Sequence, residues 1–505
     1  MNYWLPTLAG FSAFLLALIV VPVARDAARR IGLVDRPDQH RKLHGKSIPL
    51  SGGIAIITVV GITGLLAFLI PSPTRSIFLG NPQELTGMIG GLLLVAAVGV
   101  WDDAFHLRAR YKLIGQIAGA AVVASSGILI NRIGIGGISL EFGNLAVPVT
   151  IFWLVLCMNA LNLIDGADGL AATVSLVLFG TIAAIALTLN NEVTAFVALI
   201  LCGALLGFLV FNFPPASVFL GDCGSLAIGL LAGSLAIHSC TKGATALAIT
   251  APLAMWVLPI MDVAMAFLRR RLTGRGLSTT DRLHLHHCLL DRGLTNKQLL
   301  SAAATLGFIS GFGAWLTIRF HNQWFAVLTA GAVVLFLMGS RLFGYVELRL
   351  AGQHLARVRR TMFATPQTPA RKGWNMQVRM QGVRDWNELW NYLTEASDAL
   401  NLHQIRLDLN IPWQHEAFHA TWAHPDGRGI EHLIRLEIPL YVAERRVGVV
   451  TFMSDGGAEQ ATWLIKFAEF LVDFQEQLEG TGRKVHEPTS LLFVADGTSG
   501  IQDTT

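Results

Sequence analysis

Residues 151–189 read IFWLVLCMNALNLIDGADGLAATVSLVLFGTIAAIALTL, which is two apolar runs joined by a short acidic turn. Each run approaches the length of about 20 apolar residues that spans a bilayer core as one helix. The turn contains Asp165 and Asp168. Because a carboxylate at the edge of a bilayer core is energetically costly, its presence there by default indicates a functional site. The stretch therefore predicts two membrane helices with a functional site at their junction.

Similar apolar runs continue from residue 3 to about residue 344. Of the 505 residues, 53% are hydrophobic and 14% are charged, whereas soluble domains have about 25% charged residues. The five cysteines have no CxxC spacing, so we interpret them as packing residues. No basic segment precedes the first run, so we expect no cleaved signal peptide. The chain is predicted to be an all-α polytopic membrane protein with eleven spans: 3–24, 47–70, 85–101, 112–130, 146–162, 168–189, 193–211, 224–240, 244–268, 299–318 and 324–344.

Lysine and arginine are concentrated in alternate loops between these spans. The first loop (residues 25–46) and the ninth loop (residues 269–297) each contain seven, whereas the loops at 71–84 and 131–145 contain one each. Because basic loops stay in the cytoplasm, the odd-numbered loops are predicted to be cytoplasmic. The N-terminus is then outside, and the segment after residue 344 is inside.

The unusual acidic residues all fall in or beside these odd-numbered loops. Asp102 and Asp103 end the third span, Asp165 and Asp168 follow the fifth, and Asp222 precedes the eighth. The His-containing string DRLHLHHCLLDRG (281–293) lies in the ninth loop. Eleven spans thus predict one site at the cytoplasmic face.

The residue types of this site favour a magnesium-bound, phosphorylated ligand. Asp165 and Asp168 are three residues apart, so both side chains can face one cavity. Mg²⁺ usually binds one or two carboxylates together with substrate phosphates. For Asp222, in the string GDCGS, a simple N-cap is the alternative.

Two further clusters are candidates for phosphate contacts. The histidines His284, His286 and His287 have no partner cysteine or HExxH spacing, so we favour phosphate donors over a zinc site. Lys46 stands shortly before Gly52 and Gly53 at the edge of the second span. Here we expect the Lys46 ammonium and exposed backbone to contact a phosphate together. The alternative is that Lys46, like other basic residues of this loop, only keeps the loop in the cytoplasm.

Five strings in this order resemble the polyprenyl-phosphate N-acetylhexosamine-1-phosphate transferases (glycosyltransferase family 4). The strings are HGKSIPLSGG, the pair Asp102-Asp103, NALNLIDGADGLA, FNFPPASVFLGDCGSLAIG and HLHH, and they cover roughly residues 30–295. Within that family, HLHH after Asp281-Arg282 resembles the branch that uses UDP-GlcNAc. The branch that transfers phospho-MurNAc-pentapeptide typically has three consecutive histidines and is the alternative.

The resemblance implies a role for each matching position. Mg²⁺, or alternatively Mn²⁺, would be held by Asp165 and Asp222, with Asn212 close to the metal and Asp168 near the uracil. Asp102 and Asp103 would lie on the lipid-phosphate side, one of them as a base or nucleophile. The side chains expected to contact the pyrophosphate or the sugar are Lys46, Asn162, Arg270, His284, His286 and His287.

The implied reaction is attack of undecaprenyl phosphate on the β-phosphate of a UDP-N-acetylhexosamine, which gives undecaprenyl-diphospho-sugar and UMP. The implied location is the bacterial cytoplasmic membrane, with the bilayer and both substrates as partners, no nucleic acid, and a homodimer left open. The product would begin a cell-envelope polysaccharide. Because a phosphate monoester is mostly dianionic at neutral pH, direct attack needs little help from a base, and a phospho-aspartyl intermediate stays open.

The composition changes after Tyr345. We expect a membrane domain over 1–345, an amphipathic segment and linker over 346–373, a soluble α+β domain over 374–480 and a disordered tail over 481–505. The soluble part predicts helices near 384–400 and 458–478, with strands near 404–410, 417–423 and 431–453. The hairpin in 435–455 resembles that of GAF-type sensory domains. A regulatory or docking role and a passive appendage both remain open.

Two other classes of protein fit part of the pattern. A transporter would place its acidic residues near the bilayer midplane, often in internal repeats, whereas these acids lie at one face. A di-aspartyl intramembrane protease is suggested by the string LGD, but residue 219 is Phe where its GxGD motif has Gly. Both readings are therefore disfavoured.

Overall fold

The structure, a computed structural model, divides the chain into two compact units, residues 1–355 and 356–505. It describes residues 4–35, 47–71, 73–135, 138–241, 250–273, 284–340, 342–345, 347–348, 351–352, 355, 374–381, 386–411, 416–424, 434–442, 445–454 and 460–483. Lys46 and most of the predicted linker and tail lie outside these residues. The predicted domain limits stay predictions.

The described part of the first unit is mainly helical. Its helices are α1 (Trp4–Ile31), α2 (Gly52–Leu69), α3 (Pro73–Gly80), α4 (Pro82–Phe105), α5 (Ala109–Ser125), α6 (Ala146–Ile164), α7 (Leu170–Thr188), α8 (Glu192–Asn212), α9 (Gly221–Thr241), α10 (Thr250–Met255), α11 (Val257–Thr273), α12 (Leu285–Leu290), α13 (Asn296–Phe320) and α14 (Trp324–Gly339). Two antiparallel strand pairs interrupt them, β1 (Val34–Asp35) with β2 (Ile48–Pro49) and β3 (Arg132–Ile135) with β4 (Ile138–Glu141).

Eight helices of the described residues are long and apolar enough to cross a membrane: α1, α2, α4, α6, α7, α8, α9 and α13. This confirms a multi-span helical membrane protein. The other three predicted spans fall on the shorter helix α5, on α10 with α11, and on α14. The number eleven and the orientation of the chain stay predictions.

The ninth predicted span differs from expectation because it is broken. The sequence predicted one helix over 244–268, but the described residues form α10 and α11 with Trp256 between them. Pro259 has no N–H to donate to the carbonyl four residues earlier, that of Met255, and this interrupts the helical hydrogen-bond ladder. The described part of this predicted span therefore consists of two consecutive helices.

Helix α9 is the centre of the first unit, with 94% of its most apolar window buried inside the protein. It contacts α2, α4, α6 and α7. The peripheral helices instead expose large apolar side chains such as Phe11, Ile19 and Leu335, as expected for surfaces that face lipid. The first residues of α9, which include Asp222, are thereby held by several helices at once.

The second unit contains a five-stranded antiparallel sheet in the order β5-β7-β6-β9-β8. Its strands are β5 (Trp374–Gln381), β6 (Leu402–Ile411), β7 (Glu416–Ala423), β8 (Ile434–Val442) and β9 (Arg445–Ser454). Helix α15 (Asn387–Ala399) packs on β6, and helix α16 (Gln460–Arg483) packs on β8. Alternate residues of β6, such as Ile405, Leu407 and Leu409, face the core.

The predicted α+β character of this unit is confirmed. Each predicted helix and strand after residue 384 has a counterpart within a few residues, and the hairpin forms from β8 and β9. Strand β5 was missed, and α16 continues three residues into the predicted tail. The likeness to GAF domains stays a prediction.

Candidate active site

The paired aspartates stand at the last turn of α4, where the chain leaves the helix. His106 adopts a left-handed conformation (φ 52°) and closes the helix. The chain then turns back, so that the N–H of Leu107 donates to Oδ1 of Asp102 at 2.7 Å. Asp102 is thus oriented by its own turn.

Asp103 faces a different partner, the N-terminus of α9. Its Oδ1 accepts the N–H of Asp222 at 2.8 Å, and its Oδ2 accepts the N–H of Cys223 at 3.1 Å. The first N–H groups of a helix have no partner within the helix and carry its positive dipole end. Asp103 therefore caps α9 from another helix. Asp222 lies inside the first turn, so a simple N-cap at Asp222 is the wrong interpretation.

Two glycines allow this convergence of helix ends. A Cβ at Gly99 of α4 would lie 2.4 Å from Cα of Cys223, and one at Gly53 of α2 would lie 2.1 Å from N of Gly224. No side chain fits in either position. The N–H of Gly53 donates to the carbonyl of Leu220 at 2.9 Å. The expectation of exposed backbone at Gly53 is therefore wrong, because its N–H is used to hold α2 against α9.

Lys112 of α5 lies at the centre of the cluster. Its Nζ is 2.9 Å from Oδ2 of Asp102 and 2.9 Å from Oδ2 of Asp222, and its side chain is only 15% exposed. The same ammonium donates to Oδ1 of Asn162 at 3.0 Å. The sequence placed Lys112 at the start of the fourth predicted span, 112–130, and indicated no functional role for it. The missed indication was its position at the membrane edge, close after the aspartate pair.

Asn162, near the end of α6, joins the lysine to α9. Its Nδ2 donates to Oδ1 of Asp222 and lies 3.0 Å from Oγ of Ser225. One turn away, Gln116 and Asn159 form a second amide pair, with 2.8 Å between Asn159 Nδ2 and Gln116 Oε1. These contacts fix α5, α6 and α9 against one another around Asp222.

Asp165 begins the turn that joins α6 to α7. Loss of solvent around its carboxyl, with Asp222 and Asp103 nearby, raises the pKa of Asp165 well above its ordinary value. The described residues show no hydrogen bond from its side chain. A carboxyl in such a position gains most from a nearby cation. Gly169 ends the turn in a left-handed conformation (φ 74°), which favours glycine.

Asp168 and Asn212 both hold the loop at residues 213–219. Oδ2 of Asp168 accepts the N–H of Ala216 at 3.0 Å. Nδ2 of Asn212 donates to the carbonyl of Val218 at 2.8 Å. The structure thus gives both side chains a loop-positioning contact. Their predicted places near the uracil and the metal stay predictions.

The histidine block packs directly on the Asp165 turn. A Cβ at Gly166 would lie 2.4 Å from Nε2 of His286. Burial, with His287 and His284 alongside, holds the pKa of His286 well below its usual value, so its ring stays neutral. The rings of His286 and His287 lie 4.2 Å apart. Arg270, in the last turn of α11, is partly buried.

The donor set suits a metal that takes part of its coordination from substrate. In the part of the chain that the structure describes, no group of three or more His, Cys, Asp or Glu residues is arranged to hold a metal ion. Asp165 and Asp222 supply two carboxylates that are close enough to repel each other electrostatically. Mg²⁺ commonly binds one or two carboxylates and completes its shell with phosphate oxygens and water, so these residues fit that ion.

These features define a class of protein, namely a multi-span membrane protein with a charged site of carboxylates and a lysine at one end of its helix bundle. Residues 85–240 match the family described as Glycosyl transferase family 4. Since known relatives also align over most of their own length, the chain belongs to this family. The predicted membership is confirmed.

Three relatives illustrate the similarity. A probable undecaprenyl-phosphate N-acetylglucosaminyl 1-phosphate transferase of Bacillus subtilis is 32% identical over 64% of this chain and 88% of the relative. A decaprenyl-phosphate N-acetylglucosaminephosphotransferase of Mycolicibacterium smegmatis is 31% identical over 65% of this chain and 86% of the relative. An undecaprenyl-phosphate alpha-N-acetylglucosaminyl 1-phosphate transferase of Yersinia pestis is 31% identical over 66% of this chain and 88% of the relative.

Proposed function

We propose that this protein transfers GlcNAc-1-phosphate from UDP-GlcNAc to undecaprenyl phosphate. An oxygen of the lipid phosphate forms a bond to the β-phosphorus, the bond from that phosphorus to the bridging oxygen breaks, and UMP leaves with the electron pair. The observation that carries the proposal is the meeting of Asp102, Asp222 and Lys112 within hydrogen-bond distance. The relatives' names support GlcNAc over the phospho-MurNAc-pentapeptide alternative.

Charge is the main demand of such a reaction, because both reactants carry phosphates and the leaving UMP gains charge. Asp165 and Asp222 would hold Mg²⁺, which supplies Lewis-acid stabilisation of the phosphate oxygens when bound. Lys112 is the protein's own cation at the same place. It keeps Asp102 and Asp222 together before substrate arrives, and its charge would attract the phosphate groups to this place.

We propose direct attack by the lipid phosphate. Each oxygen of the aspartate pair already accepts one donor: Leu107 N–H and Lys112 at Asp102, and two α9 N–H groups at Asp103. Hydrogen bonds to the charged form of a carboxyl stabilise it, so each of these contacts lowers the nucleophilicity of the oxygen that accepts it. Single displacement inverts the configuration at phosphorus, so a chiral β-phosphorothioate donor tests the point. Retention would show two displacements and a covalent intermediate.

The proposed location of the site is the cytoplasmic edge of a bacterial membrane. The clustered residues lie at the adjoining ends of α4, α5, α6 and α9, and the basic loops predict that this end is inside. Undecaprenyl phosphate reaches the same edge from the bilayer, whereas UDP-GlcNAc comes from the cytoplasm. The product would be the first lipid-linked sugar of a cell-envelope polysaccharide. A homodimer stays a prediction.

The direct test is transfer by the purified protein. It is incubated in nanodiscs with undecaprenyl phosphate and Mg²⁺, and with UDP-GlcNAc, UDP-GalNAc or UDP-MurNAc-pentapeptide in parallel. We expect UMP and labelled lipid from UDP-GlcNAc, and neither from the Asp222→Asn variant, because its metal binding is weakened. UMP from UDP-MurNAc-pentapeptide alone, or from none of the donors, would overturn the proposal. Near-normal turnover of Asp222→Asn at low Mg²⁺ would overturn the metal assignment.

A further inference from the structure

Asp262 is a buried carboxylate that no motif of the sequence pointed to. It lies in α11, within the apolar string VLPIMDVAMAF, and is 1% exposed. An acid in such surroundings is costly unless its oxygens are satisfied. Both of them contact the start of α12, where the histidine block begins.

The two contacts of Asp262 differ in kind. Oδ1 accepts the backbone N–H of Leu285 at 2.8 Å, which satisfies the N-terminus of α12. Oδ2 lies 2.9 Å from Nδ1 of His284, the residue that precedes the helix. A carboxylate accepts hydrogen bonds only, so Nδ1 of His284 must carry its proton. The contact thereby fixes the ring's orientation and leaves Nε2 as the nitrogen for another partner.

His284, held in this way by Asp262, is connected to the candidate active site through His286. The His284 and His286 rings are parallel, with 6.1 Å between their centroids. His286 in turn packs against Gly166, next to Asp165, and among the described residues its buried Nε2 has no hydrogen-bond partner. Asp262 and His286 also line one small apolar cavity together with Ile164 at the end of α6. A displacement of His284 would therefore be transmitted through His286 to the turn at Asp165.

We propose that Asp262 is a positioning residue, which orients His284 so that its Nε2 faces the phosphate groups of the nucleotide sugar. The role rests on the proposed function. It explains why the chain keeps a carboxylate here: a neutral Asn would still cap α12 through its oxygen. Its amide, however, would present N–H groups to His284 and require Nδ1 to be the acceptor. The same ring would then hold its proton on Nε2.

Asp262→Asn is for this reason the informative change, and a double-mutant cycle with His284→Gln tests how it acts. At metal sites, loss of a carboxylate that orients a histidine ligand costs about 10–100-fold, and we expect a similar loss for the pair Asp262 and His284. We expect that decrease in kcat/KM for UDP-GlcNAc in each single variant, with the KM for undecaprenyl phosphate unchanged. The kcat/KM of the double variant should be no lower than that of the less active single variant, because the effects of residues that act through one another are not additive.

The outcome that overturns the proposal is additivity, in which Asp262→Asn costs as much on the His284→Gln background as in the wild type. A wild-type rate for Asp262→Asn, or an equal rise of both KM values, would overturn it too. If Asp262→Asn does not fold, the wild-type protein still decides. Histidine ¹⁵N NMR, assigned with His284→Gln, should show a protonated Nδ1 on His284, and an unprotonated Nδ1 would refute the proposal.

The same NMR measurement separates this inference from the proposed function. If the wild-type protein releases no UMP with any donor, the function fails, whereas the protonation of His284 still reports whether Asp262 orients the ring. If UMP is released and the cycle is additive, the function stands and the inference fails.

Discussion

Replacing Lys112 by Met is the sharpest perturbation that the structure offers. The change keeps the aliphatic stem but removes the charge between Asp102 and Asp222, whose carboxylates each lie 2.9 Å from Nζ. Removal of one partner from a buried ion pair costs about 3–5 kcal/mol, because the remaining charge is uncompensated. The Asp222 side chain is 28% exposed, so we expect the lower end of this range, about 3 kcal/mol.

The same substitution should also lower the rate of transfer. One electrostatic donor aimed at developing charge is worth about 10²–10³-fold in kcat. We therefore expect Lys112→Met to lower kcat by about that factor, measured by UMP release in nanodiscs. SDS-induced unfolding in mixed micelles reports the free energy of unfolding. Added Mg²⁺ should recover part of the stability, since it replaces a lost cation, and less of the rate.

The matched control is Lys297→Met, the same substitution at an exposed lysine near the start of α13. Lys297 lies over the Phe213 ring at 5.9 Å, and an exposed cation–π contact is worth about 0.5–1 kcal/mol. We expect near-wild-type turnover from it. If Lys112→Met instead behaves like this control, within about 1 kcal/mol and tenfold in rate, Lys112 does not hold the two aspartates as described.

Three further changes probe the same centre. Asp103→Asn presents an amide N–H to a helix N–H, so it should cost about 1–3 kcal/mol of unfolding free energy and lower transfer; unchanged unfolding would contradict its capping role. Gly99→Ala places a Cβ 2.4 Å from Cys223 Cα and should cost about 1–3 kcal/mol, whereas Gly90→Ala on the same helix meets only a 3.5 Å contact and should be nearly neutral. Millimolar Mg²⁺ should raise the unfolding temperature of the wild-type protein but not of Asp165→Asn, and equal shifts in both would disprove Asp165 as a ligand.

The sequence predicted the parts of this fold that local patterns determine. Long apolar runs identified the helices that carry Asp102, Asp165 and Asp222, because bilayer thickness sets the length of a span. Alternating apolar residues similarly identified strands β6 and β7 of the soluble unit. Family strings then supplied the order of the motifs. Each span, strand and string is recognised from about 20 neighbouring residues or fewer.

The errors arose where the deciding contact is distant in the chain. Lys112 was given no catalytic place, since its partner Asp222 is 110 residues away, and a lysine at the edge of a span has a sufficient topological explanation. Asp262 was missed because a single acid within an apolar string does not reveal its partner. The break between α10 and α11 had a local signal in Pro259, but proline is tolerated in membrane helices, so the signal was not decisive.

The paired aspartates, alike in sequence, have separate tasks in the structure. Asp103 holds the first N–H groups of α9 and so determines where Asp222 stands. Asp102 holds Lys112 and so determines where the cation stands. Because α4 carries both, the position of the proposed metal ligand and the position of the lysine both depend on the last turn of one helix.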